Sequence, residues 1–232
     1  YGTIVALSES TLDENLLVVG TDDGLVQITK DGGNTWIKID NIPGAPSQSY
    51  VNSVFTSQHD KNRIYVAFNH HKYGDFKPYI FMTEDMGNTW TTISSNLPNR
   101  GSVYAIEEDH EDPGLIFCGT EFGVFFSPNN GKNWKELSMG LPTIAVRDIA
   151  IQREMNDLVL GTFGRGFYVL DDYSMLRSVE NKQVQEKAMI LPIRDAIMWE
   201  KSNPLGLPGK SFQGDNFYVG ENLDPVAMIN YY

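Results

Sequence analysis

Thr29-Lys30-Asp31-Gly32-Gly33-Asn34-Thr35-Trp36 returns with small changes as Thr83-Glu84-Asp85-Met86-Gly87-Asn88-Thr89-Trp90, and again as Ser127-Pro128-Asn129-Asn130-Gly131-Lys132-Asn133-Trp134. Each copy holds a hydroxyl residue, a spacer, Asp or Asn, a spacer, Gly, two polar positions and Trp. That is the chemistry of a tight turn. Asp31, Asp85 and Asn129 can accept hydrogen bonds from backbone N–H groups of their own turn, and Gly33, Gly87 and Gly131 supply positive φ. Trp36, Trp90 and Trp134 then open the returning strand as large apolar anchors. A catalytic role for Asp31 and Asp85 is the competing reading. Asn129 at the same place in the third copy fits a structural part better than acid–base chemistry.

Apolar runs flank each phrase. Leu16 to Thr21 precedes Leu25 to Ile28, and Leu115 to Thr120 precedes Val124 to Ser127. They read as strands. An earlier strand precedes each pair (Ile4 to Ser8, Val51 to Thr56, Val103 to Glu107, Val146 to Ile151), and a short one follows each Trp. Four strands per repeat is the make-up of a propeller blade, so the sequence predicts an all-β chain of about four blades of antiparallel strands. The blades are expected at 1–41, 50–95, 102–138 and 145–171. The second carries an insertion at 69–78, and the last has no Trp-terminated phrase but repeats the Gly-Thr step at Gly161-Thr162. About four blades is the low end for a closed ring. The chain opens at Tyr1 and stops at Tyr232 in what reads as mid-strand. The expectation is an internal piece of a longer protein, with blades missing upstream and a further domain downstream.

The repeated phrase resembles the Asp-box, or bacterial neuraminidase, repeat, in whose families these residues are structural. Gly161-Thr162-Phe163-Gly164-Arg165-Gly166 followed by Val169-Leu170-Asp171-Asp172 is similar to the closing blade of large bacterial sortilin-like proteins, many of them named glycosyl hydrolase. Tyr218 to Tyr232 resembles the linker into their C-terminal β-sandwich. The resemblance spans almost the whole chain and implies a periplasmic, cell-surface or extracellular location. Two departures stand out. Phe163 occupies a place where that family often has His, which weakens any chemistry assigned to that His, and Leu223-Asp224 interrupts a usually Pro-rich step.

Composition narrows the partners. With 232 residues, 41% hydrophobic and 12% aromatic, the chain can bury a sizeable core. A net charge of −12 with no basic cluster in sequence excludes nucleic acid as a natural partner. Cys118, the single cysteine, lies in an apolar strand and reads as a buried structural thiol. No run of eighteen or more apolar residues occurs, so direct membrane insertion is not expected. Residues 1–172 are read as propeller and 173–232 as a mostly irregular connector. Within it, 174–187 favours short helical turns with Met175, Leu176 and Val179 inward, 189–199 reads as extended, and 202–214 is a loop by its Pro and Gly content.

In a blade the turns alternate between two faces. If the Trp-terminated turns join third to fourth strands, the loops joining second to third strands share the opposite face with the blade-to-blade connections. In sialidases and related propellers that opposite face carries the substrate. It nominates Asp22, Asp23, His70, His71, Tyr73, Asp75, Glu121, Phe163 and Arg165 as ligand-binding candidates. Ordinary polar turns are the plainer account of the same residues. A glycosidase needs two carboxyls about 5–9.5 Å apart, and Asp22 and Asp23, adjacent in a turn, would require Glu121 or Asp75 from another blade. Arg63, Arg100, Arg147, Arg153 and Arg165 are scattered, with only Arg165 in a nominated loop. No catalytic residue is assigned and no cofactor is expected. A metal at His70, His71 and Asp75 is disfavoured, because neighbouring imidazoles on one loop rarely converge. The acidic run Glu107 to Asp112 reads as a solvated turn, with weak Ca²⁺ binding as its alternative. Three functions remain: a non-catalytic scaffold binding protein, peptide or glycan, a sialidase-like glycoside hydrolase completed by further blades, and a structural spacer.

Overall fold

A computed structural model of the protein describes residues 2–138, 140–179, 190–196, 198 and 226–229. Its strands are β1 (Ile4–Glu9), β2 (Leu17–Thr21), β3 (Val26–Thr29), β4 (Ile37–Ile39), β5 (Tyr50–Thr56), β6 (Ile64–His70), β7 (Asp75–Thr83), β8 (Thr91–Thr92), β9 (Val103–Glu108), β10 (Ile116–Thr120), β11 (Gly123–Ser127), β12 (Lys135–Glu136), β13 (Val146–Gln152), β14 (Asp157–Thr162) and β15 (Phe167–Leu170). They form four antiparallel meanders in the orders β1-β2-β3-β4, β5-β6-β7-β8, β9-β10-β11-β12 and β13-β14-β15. This is a partial β-propeller. The fourth blade has three strands among the described residues, where four per repeat is the sequence expectation. It lacks a Trp-terminated turn and so the device that returns the chain into a fourth strand.

Three cores lie between successive blades, and they explain why some strands read as unbroken apolar runs. In β6, Ile64, Val66 and Phe68 point into the core shared with the first blade, while Tyr65 and Ala67 point into the core shared with the third. In β10, Ile116 and Cys118 face the second blade and Phe117 faces the fourth. A strand sandwiched between two blades has no solvent face, so the polar alternation of a half-buried strand disappears. In β14, whose far side meets no further blade among the described residues, alternation returns: Leu158 and Leu160 are buried and Val159 is not. The far face of that blade exposes Phe167 at 79% and Val169 at 55%.

The Gly-Thr step has a packing cause. A Cβ on Gly20 would collide with Val51, and one on Gly119 would lie 2.7 Å from the carbonyl oxygen of Val146. Each glycine thus lets the inner strand of the next blade lie against its own strand.

The compact unit containing the sheets spans Tyr1–Glu180, and a second comprises Asn181–Tyr232. The first includes a 3-10 turn, Tyr173–Ser178, with Tyr173 and Leu176 buried in the core of the third and fourth blades and Met175 and Val179 packed on it. Most of the expected extended segment 189–199 is described, with an isolated bridge at Ile190 and no further regular structure. The remainder of the expected helical run beyond Val179, the loop at 202–214 and most of the linker-like 218–232 lie outside the described residues.

Candidate functional site

The three Trp-terminated phrases join β3 to β4, β7 to β8 and β11 to β12. In the first, Asp31 Oδ1 accepts from Thr29 Oγ1 at 2.8 Å and from the Thr35 N–H at 2.8 Å, and Oδ2 accepts from Thr35 Oγ1 at 2.7 Å. Asp85 repeats those bonds with Thr83 and Thr89, and Asn129 makes the Oδ1 half of the set with Ser127 and Asn133. The Thr35 hydroxyl and N–H, then the Thr29 hydroxyl, hold Asp31 down to about 2. A carboxylate so strongly ionised is a poor general acid. These aspartates pin turns.

The structure adds a feature that the sequence hides. The fourth position is left-handed as well as the fifth, with φ of 66° at Gly32, 58° at Met86 and 56° at Asn130. That twist aims each fourth N–H at the turn joining the blade's first and second strands: Gly32 N–H to Asn15 O, Met86 N–H to Asn62 O, and Asn130 N–H to Gly114 O. The tryptophans differ. Trp36 is 40% exposed, whereas Trp134 is buried and donates to the Ile93 carbonyl of the second blade at 2.7 Å.

On this face the acidic run is only in part a solvated turn: Glu111 is exposed, but two of its neighbours turn inward. Glu108 and Asp109 are fully buried. Glu108 accepts from the Ser57 hydroxyl, the Gln58 N–H and the Tyr65 hydroxyl, with Arg63 Nη1 at 3.7 Å. Asp109 receives Arg177 Nε at 2.9 Å and Nη2 at 2.8 Å, and Tyr173 Oη at 2.6 Å. Burial pushes the Asp109 carboxyl up, but Arg177, Tyr173 and two backbone N–H groups more than offset it and leave it below its ordinary value. The run is an internal clasp between blades.

The opposite face carries a groove of about 580 Å³. Its walls are the β6–β7 hairpin (Asn69, His71, Lys72, Phe76), the connection into β9 (Arg100, Gly101, Ser102), and the β10–β11 turn (Glu121, Phe122). Tyr50, Asn52, Tyr104 and Arg147, from the starts of inner strands β5, β9 and β13, complete it. The insertion at 69–78 is therefore a lengthened hairpin closed by a 3-10 turn, His71–Tyr73, and is tied down by the Gly101 N–H to Phe76 O bond at 2.8 Å.

A shared irregularity places three of these side chains. Each inner strand slips by one residue near its start: Val51 and Ser53 pair with the consecutive Phe68 and Ala67, Val103 and Ala105 with Thr120 and Gly119, Val146 and Asp148 with Thr162 and Gly161. The extra residues are Asn52, Tyr104 and Arg147, and all three line the groove. A bulge re-aims the side chain it leaves unpaired. The fold thus delivers one side chain per blade to this face, with Val5 at the corresponding place in the first blade.

Within the groove, Arg147 Cζ sits 3.6 Å from the Tyr104 ring centre and 5.3 Å from that of Phe163. Arg100 lies 5.8 Å from the Phe76 ring and Lys72 Nζ 5.7 Å from the Tyr50 ring. The Tyr104 hydroxyl donates to Glu121 Oε2, and desolvation followed by this bond pushes Tyr104 up to about 12. Glu121 is the one acid among the described lining residues.

Of the nominated residues, His71 and Glu121 line the groove, and Phe163 borders it through Arg147. Asp22 accepts from the Gly2 and Thr3 N–H groups, and Asp23 from the Thr21 hydroxyl, so both brace the edge of the first blade. His70 bonds Ser49 Oγ and stacks on Tyr73, while His71 bonds Asn69. Tyr73 donates to Gln48, and Asp75 accepts from Tyr79 Oη at 2.6 Å. Arg165 is exposed and is not among the lining residues, whereas Arg100 and Arg147 are. Arg165 remains the one arginine in a nominated loop, and the two that line the groove come from outside those loops. Arg100 and Arg147 sit at or just beyond blade-to-blade connections, which share this face with the β2–β3 type of loop, so topology was the available signal. The bulge that turns Arg147 was not legible.

No protein-family model matches the sequence, and no curated protein gives a significant match. Among solved structures, YCF48 bound to a D1 peptide superposes with a TM-score of 0.55 at 19% identity, over 74% of this chain and 52% of that one. A GH74 enzyme from Niastella koreensis gives 0.57 at 12%, over 74% of this chain and 29% of that one. An extracellular domain from B. thetaiotaomicron, ascribed to a hybrid two-component system, gives 0.55 at 17%, over 73% and 21%. The chain thus spans about half or less of the length of each, and what it shares with all three is the β-propeller fold.

Proposed function

We propose that this chain is a non-catalytic propeller scaffold that binds a segment of another protein or peptide in the groove opposite the Trp-terminated turns, as part of a larger exported bacterial protein. The observation that carries this is the make-up of the groove: three cations, four aromatic rings and a single carboxylate already engaged by a tyrosine. Two free carboxylates, which a glycosidase of the common kind requires, do not line it among the described residues. A propeller of the same fold, YCF48, is seen with a peptide. Kinship with the Asp-box, sortilin-like proteins and a periplasmic, surface or extracellular site of action belong to the same reading. So does a division of labour between a propeller, 1–172, and a connector, 173–232. Among the described residues no helix is long and apolar enough to cross a membrane.

One observation favours a second reading. Tyr104 paired with Glu121 beside Arg100 and Arg147 is the composition of a sialidase-type site, with a tyrosine nucleophile, its acidic partner and cations for a substrate carboxylate. Against it, Tyr104 is pushed up rather than activated. The test is to expose the chain to a peptide array and to a panel of chromogenic sialosides and other glycosides, as wild type, Tyr104→Phe and Arg147→Ala. Peptide binding lost in Arg147→Ala, with no turnover by any form, is expected. Turnover by the wild type that vanishes in Tyr104→Phe overturns the scaffold reading.

A further inference from the structure

The charge of this molecule is distributed against its total. The chain is acidic, with a net charge of −12. Several of its cations are already engaged. Arg63 bridges to Glu84 at 3.0 Å, Arg177 holds Asp109 and Glu111, Lys38 lies 3.7 Å from Asp40, and Arg153 donates to Gln58. Lys72, Arg100 and Arg147 have no carboxylate within ion-pair distance among the described residues, and unlike the other cations without one they are gathered in one place. Each instead rests near an aromatic ring, and all three line the one groove.

A cation over a ring keeps most of its charge available while the ring fixes its position, so little ordering remains to be done when an anion arrives. Three such cations in a concavity of an otherwise negative surface focus potential there and attract anions. Glu121, the one lining acid, has an oxygen held by Tyr104. The rings are informative too. Tyr50, Phe76 and Tyr104 have cations near them, so they are poor bare platforms for pyranose rings.

We infer that the groove recognises an acidic peptide segment, an extended stretch whose side-chain carboxylates meet Lys72, Arg100 and Arg147 in turn. The inference rests on the recognition reading above and names its ligand chemistry. An extended chain places every second side chain on one side, about 6.5–7 Å apart, which suits cations delivered from successive elements rather than from one loop. The Asn52, Tyr104 and Arg147 bulges put polar groups at the same level on three successive blades, so the segment would cross from the second blade towards the fourth.

The test is fluorescence anisotropy on the whole chain with a labelled peptide of about twelve residues alternating Glu and Ser, beside matched Gln–Ser and Lys–Ser peptides. The Glu peptide is expected to bind at least about tenfold more tightly than the Gln peptide, with affinity falling steeply between about 0.05 and 0.5 M salt. Arg147→Gln and Arg100→Gln, both on exposed side chains, should each leave the circular dichroism spectrum unchanged and weaken binding several-fold. Lys38→Gln, of the same charge change but distant in the first blade, should not. Equal, salt-insensitive binding of the Glu and Gln peptides overturns the acidic specificity and leaves a peptide groove. No binding of any peptide, or binding only of a polyuronate glycan included alongside, overturns the recognition of peptide itself.

Discussion

Asp31, Asp85 and Asn129 occupy one geometric role with two chemistries. The shared part is the Oδ1 acceptor, and the second carboxylate oxygen adds one hydroxyl bond. Asp85→Asn should therefore be tolerated, while Asp85→Ala, which leaves the Thr89 N–H without its acceptor, should lower the melting temperature. Because Asp31 is depressed to about 2, its contribution is present above the ordinary carboxylate range and is lost as pH falls towards that value. Glu107 carries the opposite sign. Burial first, then Asp148 and Glu108, raise it to about 8, against the opposing pull of Arg153 and Gln58. Folding takes up a proton there, so stability falls as pH rises from the ordinary Glu range to about 8. Glu107→Gln should flatten that decline in thermal melts between about pH 5 and 9, and an unchanged slope would show that Glu107 is not its source.

At the scale of elements, the Trp-terminated turns and the Gly-Thr steps are docking surfaces between blades. A Cβ on Gly87 would lie 2.5 Å from Ile39 Cδ1, and one on Gly131 2.7 Å from Ile93 Cβ, while one on Gly33 would meet only Trp36 at 3.8 Å. Gly87→Ala and Gly131→Ala, which add overpacking to an unfavourable φ, should each cost roughly 2–4 kcal/mol by denaturant titration, and Gly33→Ala about 1 kcal/mol. Equal losses at all three would mean that the backbone angle alone governs. The hairpin role of these phrases was legible because Asp, Gly and Trp at fixed offsets state turn chemistry directly. The contact across blades was not, since it depends on Ile39 and Ile93, which no local pattern links to the glycines. The burial of Glu108 and Asp109 was hidden for the same reason. Six polar residues in a row read as solvated until Tyr65 and Arg177, remote in sequence, are brought beside them.

Over the whole molecule, stability runs along a stack of blades joined by three cores, and the third and fourth blades have an extra tie. Arg177 clamps Asp109 from the 3-10 turn after the last strand. Removing one partner of a buried pair leaves the other charge uncompensated, so Arg177→Ala should cost about 3–5 kcal/mol. Amide exchange should show the loss concentrated in β13–β15, with β5–β7 keeping their protection. A uniform loss would make the stack a single cooperative unit. Meander order was legible from the repeat itself, as were the strand count of the three blades that carry a Trp-terminated turn and the separation of two faces. The groove was half legible: His71 and Glu121 follow from loop position, but Asn52, Tyr104 and Arg147 reach it through bulges that no residue type announces.

The central claim is that recognition occupies the face opposite the Trp-terminated turns. Its most direct measurement is backbone amide exchange of the whole chain with and without a saturating Glu–Ser peptide. New protection is predicted over 69–76, 100–104, 121–122 and 147, with 31–36, 85–90 and 129–134 unchanged. Protection centred on those three turns, with the groove segments unaltered, would contradict it.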